Sequence, residues 1–160
     1  MKIYAFADEA SPQLSGQIRA LLENGLDGME IRNVDGENVS ALSLEKARAI
    51  RRRMDDAGLA VWSIGSPLGK VDITDDFCKQ TELLKRMLEI ADILGAVHLR
   101  LFSFYTPEAD RDAWRDAVLE RLGTFTEIAH GSGVMLCHEN EKGIYGDTAA
   151  RCAELHRALP

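Results

Sequence analysis

The sequence lacks the features that would place it in several large classes. No apolar run approaches the roughly 20 residues needed to span a bilayer. The first ten residues, MKIYAFADEA, carry one lysine and then Asp8 and Glu9, which suits neither a signal peptide nor a transit peptide. A membrane partner is therefore not expected, and the cytoplasm is the expected location. Cysteine is scarce: Cys78, Cys137 and Cys152 lie far apart with no C-x-x-C pair. That excludes a disulfide framework or a zinc ribbon and fits a reducing compartment. Basic residues are outnumbered 19 to 26, for a net charge of -7, which argues against nucleic-acid binding through the overall field. The one basic run, Arg51-Arg52-Arg53, falls in a segment of helical periodicity and reads as a solvated helix face.

Familiar catalytic signatures are missing too. There is no H-E-x-x-H, G-x-S-x-G or G-x-G-x-x-G. The segment GSPLGKV (65–71) only imitates a phosphate loop. Its glycines are one residue too close, and Val71 stands where a magnesium-binding hydroxyl is needed.

What is present is an ordinary globular composition, 46% hydrophobic and 28% charged. No linker or low-complexity stretch divides it, so residues 1–160 are expected to form a single domain. Five short apolar runs, IYAFA (3–7), GMEIR (28–32), AVWSI (60–64), VHLRLF (97–102) and VMLC (134–137), are each followed by a helical pattern. The punctuation agrees. Ser11-Pro12, Ser43, Thr74, Thr106-Pro107 and Asp147 stand at expected helix starts, and Gly25, Gly58, Gly95 and Gly131 or Gly133 at expected ends. In the third helix Leu83, Leu84, Met87, Leu88, Ala91 and Leu94 form one apolar stripe, the face a helix lays on a sheet. The repeat averages about 33 residues, the size of a βα unit.

Strict β-α alternation implies a parallel sheet with right-handed crossovers. An open doubly wound sheet or part of an eight-stranded barrel fits that order. Polar residues inside the strands favour the barrel. Glu30 and Arg32 share one face of the second strand, and His98 and Arg100 share one face of the fourth. A doubly wound sheet covers both faces with helices and reads as nearly continuous apolar strands, whereas a barrel has an inner face to which alternate strands contribute. Glu30 and Arg100 are thus expected to point inward, either as a structural ion pair or toward a substrate.

Ligands of parallel α/β folds bind at the carboxyl ends of strands. Those ends carry Asp8-Glu9, Asn33, Gly65-Ser66, Ser103-Phe104-Tyr105 and His138-Glu139-Asn140-Glu141. The last is densest in groups that bind divalent metals or move protons. If the strand continues, Glu139 and Glu141 stand about 7 Å apart and could flank one substrate. Acids after a strand also serve as plain solvated caps, and spacing alone does not choose between the readings.

FADEAS (6–11), GMEIRN (28–33), GAVHLRLFSF (95–104) and GVMLCHENEKG (133–143) occur in an order that resembles the sugar phosphate isomerase/epimerase superfamily. These are the xylose-isomerase-like barrels, which also include AP endonucleases of the endonuclease IV type. The resemblance implies a (β/α)₈ barrel of about 250 to 300 residues, with this chain supplying about five of its eight units as an N-terminal fragment. It also implies a divalent metal (Mg, Mn, Co or Zn) held by carboxylates and a histidine from strands five to eight. Two glutamates would then move a proton through a cis-enediolate of a sugar or sugar phosphate. Only the strand-five position lies in this chain: Glu139-Asn140 matches the family's Glu-Asn pair, and Glu141 stands where many members have His. Glu139 is thus the expected metal ligand and acid/base residue, with Glu30, Arg100 and His138 as substrate-side contacts. The remaining ligands are expected outside the chain, which alone should be inactive. A second copy or a complementing C-terminal segment is expected across the open barrel edge. The other readings are an AP-endonuclease-like nuclease and a non-enzymatic sugar-binding or assembly fragment.

Overall fold

The computed structural model describes residues 1–159. Five strands form one sheet, ordered β1 (Tyr4–Ala5), β2 (Gly28–Ile31), β5 (Ala60–Ile64), β6 (His98–Leu101) and β7 (Met135–His138). Each pairing with a defined register is parallel. A small antiparallel hairpin, β3 (Asn33–Val34) with β4 (Glu37–Asn38), follows β2. The helices are α1 (Leu14–Glu23), α2 (Leu44–Asp56), α3 (Phe77–Leu94), α4 (Arg115–Ala129) and α5 (Ala149–Ala158). Among the described residues no helix is long and apolar enough to cross a membrane.

The chain divides into two compact units, Met1–Ser66 with Arg86–Leu99, and Pro67–Lys85 with Arg100–Pro160. In the first, alternation decides the faces. Met29 and Ile31 are buried while Glu30 lies on the other face of β2, as period-two geometry requires. The register slips between Met29 and Glu30. The expected apolar stripe of α3 is real: Met87, Ala91 and Leu94 are buried there. Ser43 caps α2 as expected, accepting from the Lys46 amide at 3.1 Å. Ser11 does not cap α1. The helix begins at Leu14, and the Leu14 amide is taken by Asp35 Oδ1 at 3.0 Å. The hairpin tip folds back because the Asp35 amide donates to Pro12 O, which brings a carboxylate to the positive helix end. Arg51, expected on a solvated face, pairs with Asp55 and donates to Leu94 O at 2.8 Å. It therefore caps the carbonyl end of α3, the end a cation favours.

In the second unit the core is aromatic. Phe77, Phe104 and Phe125 pack with centroids 5.3 to 6.2 Å apart. Two expected caps fail. Thr74 instead donates its amide and hydroxyl to Asp72 Oδ1, and Asp76 accepts from the Cys78 amide in the first turn of α3. Asp147 does not cap α5. Thr148 accepts from the Arg151 amide, which frees Asp147 to bind both Arg111 and Arg151. Charge pairing outcompetes capping here because Arg111 is buried and needs a counter-ion. Thr106-Pro107 leads into a 3₁₀ segment, Glu108–Trp114, and not directly into α4.

The segments that follow the strands are not loose. Leu68 O accepts from Phe102 N, Gly69 O from Phe104 N, Val71 O from Tyr105 N, and Tyr105 O from Ile73 N. On the other side, Gly143 O accepts from Thr106 N and Phe104 O from Tyr145 N. Tyr105 thus joins three segments into a short ladder beyond the sheet. Gly69 is required there, because a Cβ would stand 2.0 Å from Phe102 O.

Candidate functional site

The carboxyl ends of the strands carry two polar corners, one in each unit. In the first, Asp8 is gripped by Arg32 through two hydrogen bonds of 2.9 and 3.1 Å and by Asn33 at 2.7 Å. Burial pushes the Asp8 carboxyl up, but the bonds from Arg32 and Asn33 outweigh it and hold the pKa below the usual value. The Arg32 guanidinium lies 4.8 Å above the Phe6 ring. Glu30 projects beside them, one oxygen 3.1 Å from where a Cβ on Gly65 would stand.

In the second unit β7 delivers its end residues to opposite faces. Glu139 donates its amide to Leu101 O, which continues the strand ladder, and its carboxylate accepts from Arg100 Nη1 at 2.9 Å. The Glu139 side chain is 44% exposed and that of Arg100 only 15%, so a fixed cation holds an accessible carboxylate. Two residues on, Glu141 is paired with Lys70 at 2.7 Å. Lys70 and Arg100 both lie over the Phe102 ring, at 4.8 and 5.2 Å from its centroid. The two acids therefore stand as parallel rungs, each with its own cation, around one aromatic ring.

His138 points the other way. Its Nε2 is 3.0 Å from Ser103 Oγ, and its Nδ1 is 3.9 Å from Cys152 Sγ. Ser103 also accepts from the Gly146 amide at 2.7 Å, and the Cys152 thiol donates to Gly146 O at 3.3 Å. Four residues thus close a ring of polar contacts. Gly146 must be glycine: a Cβ would stand 2.4 Å from His138 Cε1. Burial holds the imidazole below its usual pKa against the opposing pull of the Glu139 charge, so the ring is neutral at pH 7.

Of the expected site residues, Glu139 and Arg100 come together, His138 turns to the helix side, and Glu30 lies in the other corner. Ser103 stands among the expected strand-end residues, whereas nothing in the sequence singles out Lys70 and Phe102 for the site. Lys70 sits in the failed phosphate-loop imitation, and only its bond to Glu141 reveals its place. As to a metal, Glu139 contributes one carboxylate, already engaged by Arg100. Among the described residues no group of three His, Cys, Asp or Glu side chains is arranged to hold an ion. The described residues alone therefore do not make a divalent-metal site.

Across residues 18–160 the sequence matches the family described as xylose isomerase-like TIM barrel. The chain belongs to the xylose isomerase-like TIM barrel family. Solved structures agree on the fold. A xylose isomerase-like TIM barrel protein from Mycobacterium smegmatis, in complex with magnesium, is similar with a TM-score of 0.72 at 20% identity, over 98% of this chain and 60% of that one. The probable 3-DHS dehydratase AsbF of petrobactin synthesis from Bacillus anthracis gives 0.80 at 18%, over 99% and 59%. The 3-keto-D-glucoside 4-epimerase YcjR from E. coli gives 0.72 at 16%, over 97% and 63%. No curated protein matches by sequence. The chain thus spans about three-fifths of the length of these xylose isomerase-like barrels, and its five-stranded parallel sheet is the portion of the fold they share with it.

Proposed function

We propose that this chain carries the strand-five corner of a sugar isomerase or epimerase that depends on a divalent metal. The observation that supports the reading most directly is the Glu139 carboxylate, accessible at the end of β7 and held from below by Arg100 at 2.9 Å. It stands at the strand end where ligands of this fold bind. In this reading Glu139 removes the proton from the carbon beside a sugar carbonyl, leaving a cis-enediolate. Return of the proton to the neighbouring carbon gives isomerisation, and return to the opposite face gives epimerisation. Arg100 orients the carboxylate and balances its charge. His138 anchors the strand end that carries Glu139. Glu139 is also the one metal ligand this chain would contribute. The other donors would have to come from outside residues 1–160, since the described residues hold no cluster of three His, Cys, Asp or Glu side chains. The substrate is a small sugar, and a complementing segment or second copy completes the site.

The test is solvent exchange. In D₂O the intact protein is expected to place deuterium beside the carbonyl of a ketose such as D-tagatose, read by NMR. Glu139→Gln is expected to lower the rate by at least 10²-fold, the lower range for a lost general base. Unchanged exchange in that variant rejects the role.

A further inference from the structure

On the helix side of β7, away from the Glu139 carboxylate, lies a cavity of about 420 Å³. Leu101, Leu122, Leu136 and Leu155 line it, and His138 and Cys152 open onto it. We propose that His138 Nδ1 and Cys152 Sγ form a two-donor site for a thiophilic d¹⁰ monovalent cation, Cu(I) or its analogue Ag(I). Three features of the structure carry the assignment.

The first is spacing. With metal–sulfur and metal–nitrogen bonds of about 2.3 and about 2.0 Å, two donors stand about 3.5 Å apart at a tetrahedral angle and about 4.3 Å apart when linear. The observed 3.9 Å falls between. It is long for a hydrogen bond to sulfur and suited to an ion bridging the two atoms.

The second is orientation. The imidazole is fixed through its far nitrogen by Ser103, which is fully buried and itself held by the Gly146 amide. Ligating histidines are held by such an outer hydrogen bond. In the tautomer whose Nε2–H donates to Ser103, Nδ1 carries its lone pair toward the sulfur.

The third is the donor set and its surroundings. One thiolate and one imidazole between leucines select soft ions over Mg or Ca, which want several oxygens. Two donors satisfy Cu(I) or Ag(I), whereas Zn(II) calls for four. On binding, the Cys152 thiol releases its proton to solvent, the metal–sulfur and metal–nitrogen bonds form, and no oxidation state changes. The ion then ties the first turn of α5 to the end of β7.

The experiment uses the chain with Cys78→Ser and Cys137→Ser, so that Cys152 is the remaining thiol. Cu(I) is titrated against a chromophoric chelator under argon, and Ag(I) by calorimetry. One equivalent is expected to bind. Cys152→Ser should abolish it, His138→Gln weaken it at least tenfold, and Ser103→Ala weaken it about tenfold. In the wild-type chain, which needs no substitution to be folded, Ag(I) is expected to move the His138 Nδ1 nitrogen-15 resonance and leave those of His98, His130 and His156 in place. Binding unaffected by His138→Gln, an unmoved His138 resonance, or Zn(II) binding as tightly as Cu(I) each overturns the proposal.

Discussion

Gly146→Ala is the substitution whose outcome the structure fixes most sharply. The glycine is not in a left-handed conformation, so alanine brings no backbone strain and any effect must come from space. An added Cβ meets His138 Cε1 at 2.4 Å, Nε2 at 2.7 Å and Ser103 Oγ at 2.9 Å, all too close for a methyl group. Overpacking of this kind costs about 1–3 kcal/mol. Pushing the imidazole away also breaks its bond to Ser103, worth about 1 kcal/mol. The expected destabilisation is therefore about 3 kcal/mol. At a urea m-value of about 2 kcal/mol/M this lowers the unfolding midpoint by about 1.5 M. A double-mutant cycle with His138→Ala, which removes the two closest of the three clashing atoms and leaves only Ser103 Oγ at 2.9 Å, tests this. The alanine at 146 should then cost about 1 kcal/mol or less, a coupling of the size seen between touching residues. An unchanged midpoint for Gly146→Ala, or additive costs in the double variant, refutes it.

Two further predictions follow from charge. Asp147→Ala leaves buried Arg111 without its carboxylate and should cost about 3–5 kcal/mol, whereas Thr148→Ala removes only a helix cap and should cost about 1 kcal/mol. Urea titration of the two variants reverses this order if Asp147 is the true cap. Asp8 has a folded pKa below the ordinary aspartate value of 3.8. Its ion pair with Arg32 therefore stabilises the fold above that value and is lost as pH falls through the lowered one. The gap in melting temperature between wild type and Asp8→Asn should thus be full at pH 5 to 7 and shrink below about pH 4. A gap independent of pH would show that the Asp8 charge contributes nothing.

Much of the architecture was legible because it rests on periodicity. Buried Met29 and Ile31 against Glu30, and buried Leu99 and Leu101 against His98 and Arg100, show the period of two that the sequence displays. The stripe of α3 shows the helical period equally plainly. Caps were less legible, since Asp35, Asp76 and Thr148 compete with nearer or more obvious candidates and tertiary charge decides among them. Glu139 stood out as a strand-end acid, but its partner Arg100 is 39 residues away and no local pattern links them. Lys70 was the hardest case. Its segment has the look of a phosphate loop, and its part in the corner appears only once Phe102 and Glu141 are folded against it. His138 shows the limit of reading clusters along a chain. In extended backbone its neighbour Glu139 necessarily faces the other side, so adjacency in sequence means separation in space.

The ladder centred on Tyr105 bears on how this corner handles a ligand. Loops that order themselves around a guest lose conformational freedom at the moment of capture, and affinity falls accordingly. Here Lys70 and Phe102 ride on segments 68–73 and 102–106, laced by main-chain hydrogen bonds to each other and to segment 143–145, and Glu141 stands two residues before that last segment. Their freedom is surrendered during folding, so the corner meets a guest as a prepared surface. Amides of Phe102, Phe104, Tyr105 and Tyr145 should accordingly exchange with solvent as slowly as those of the sheet itself.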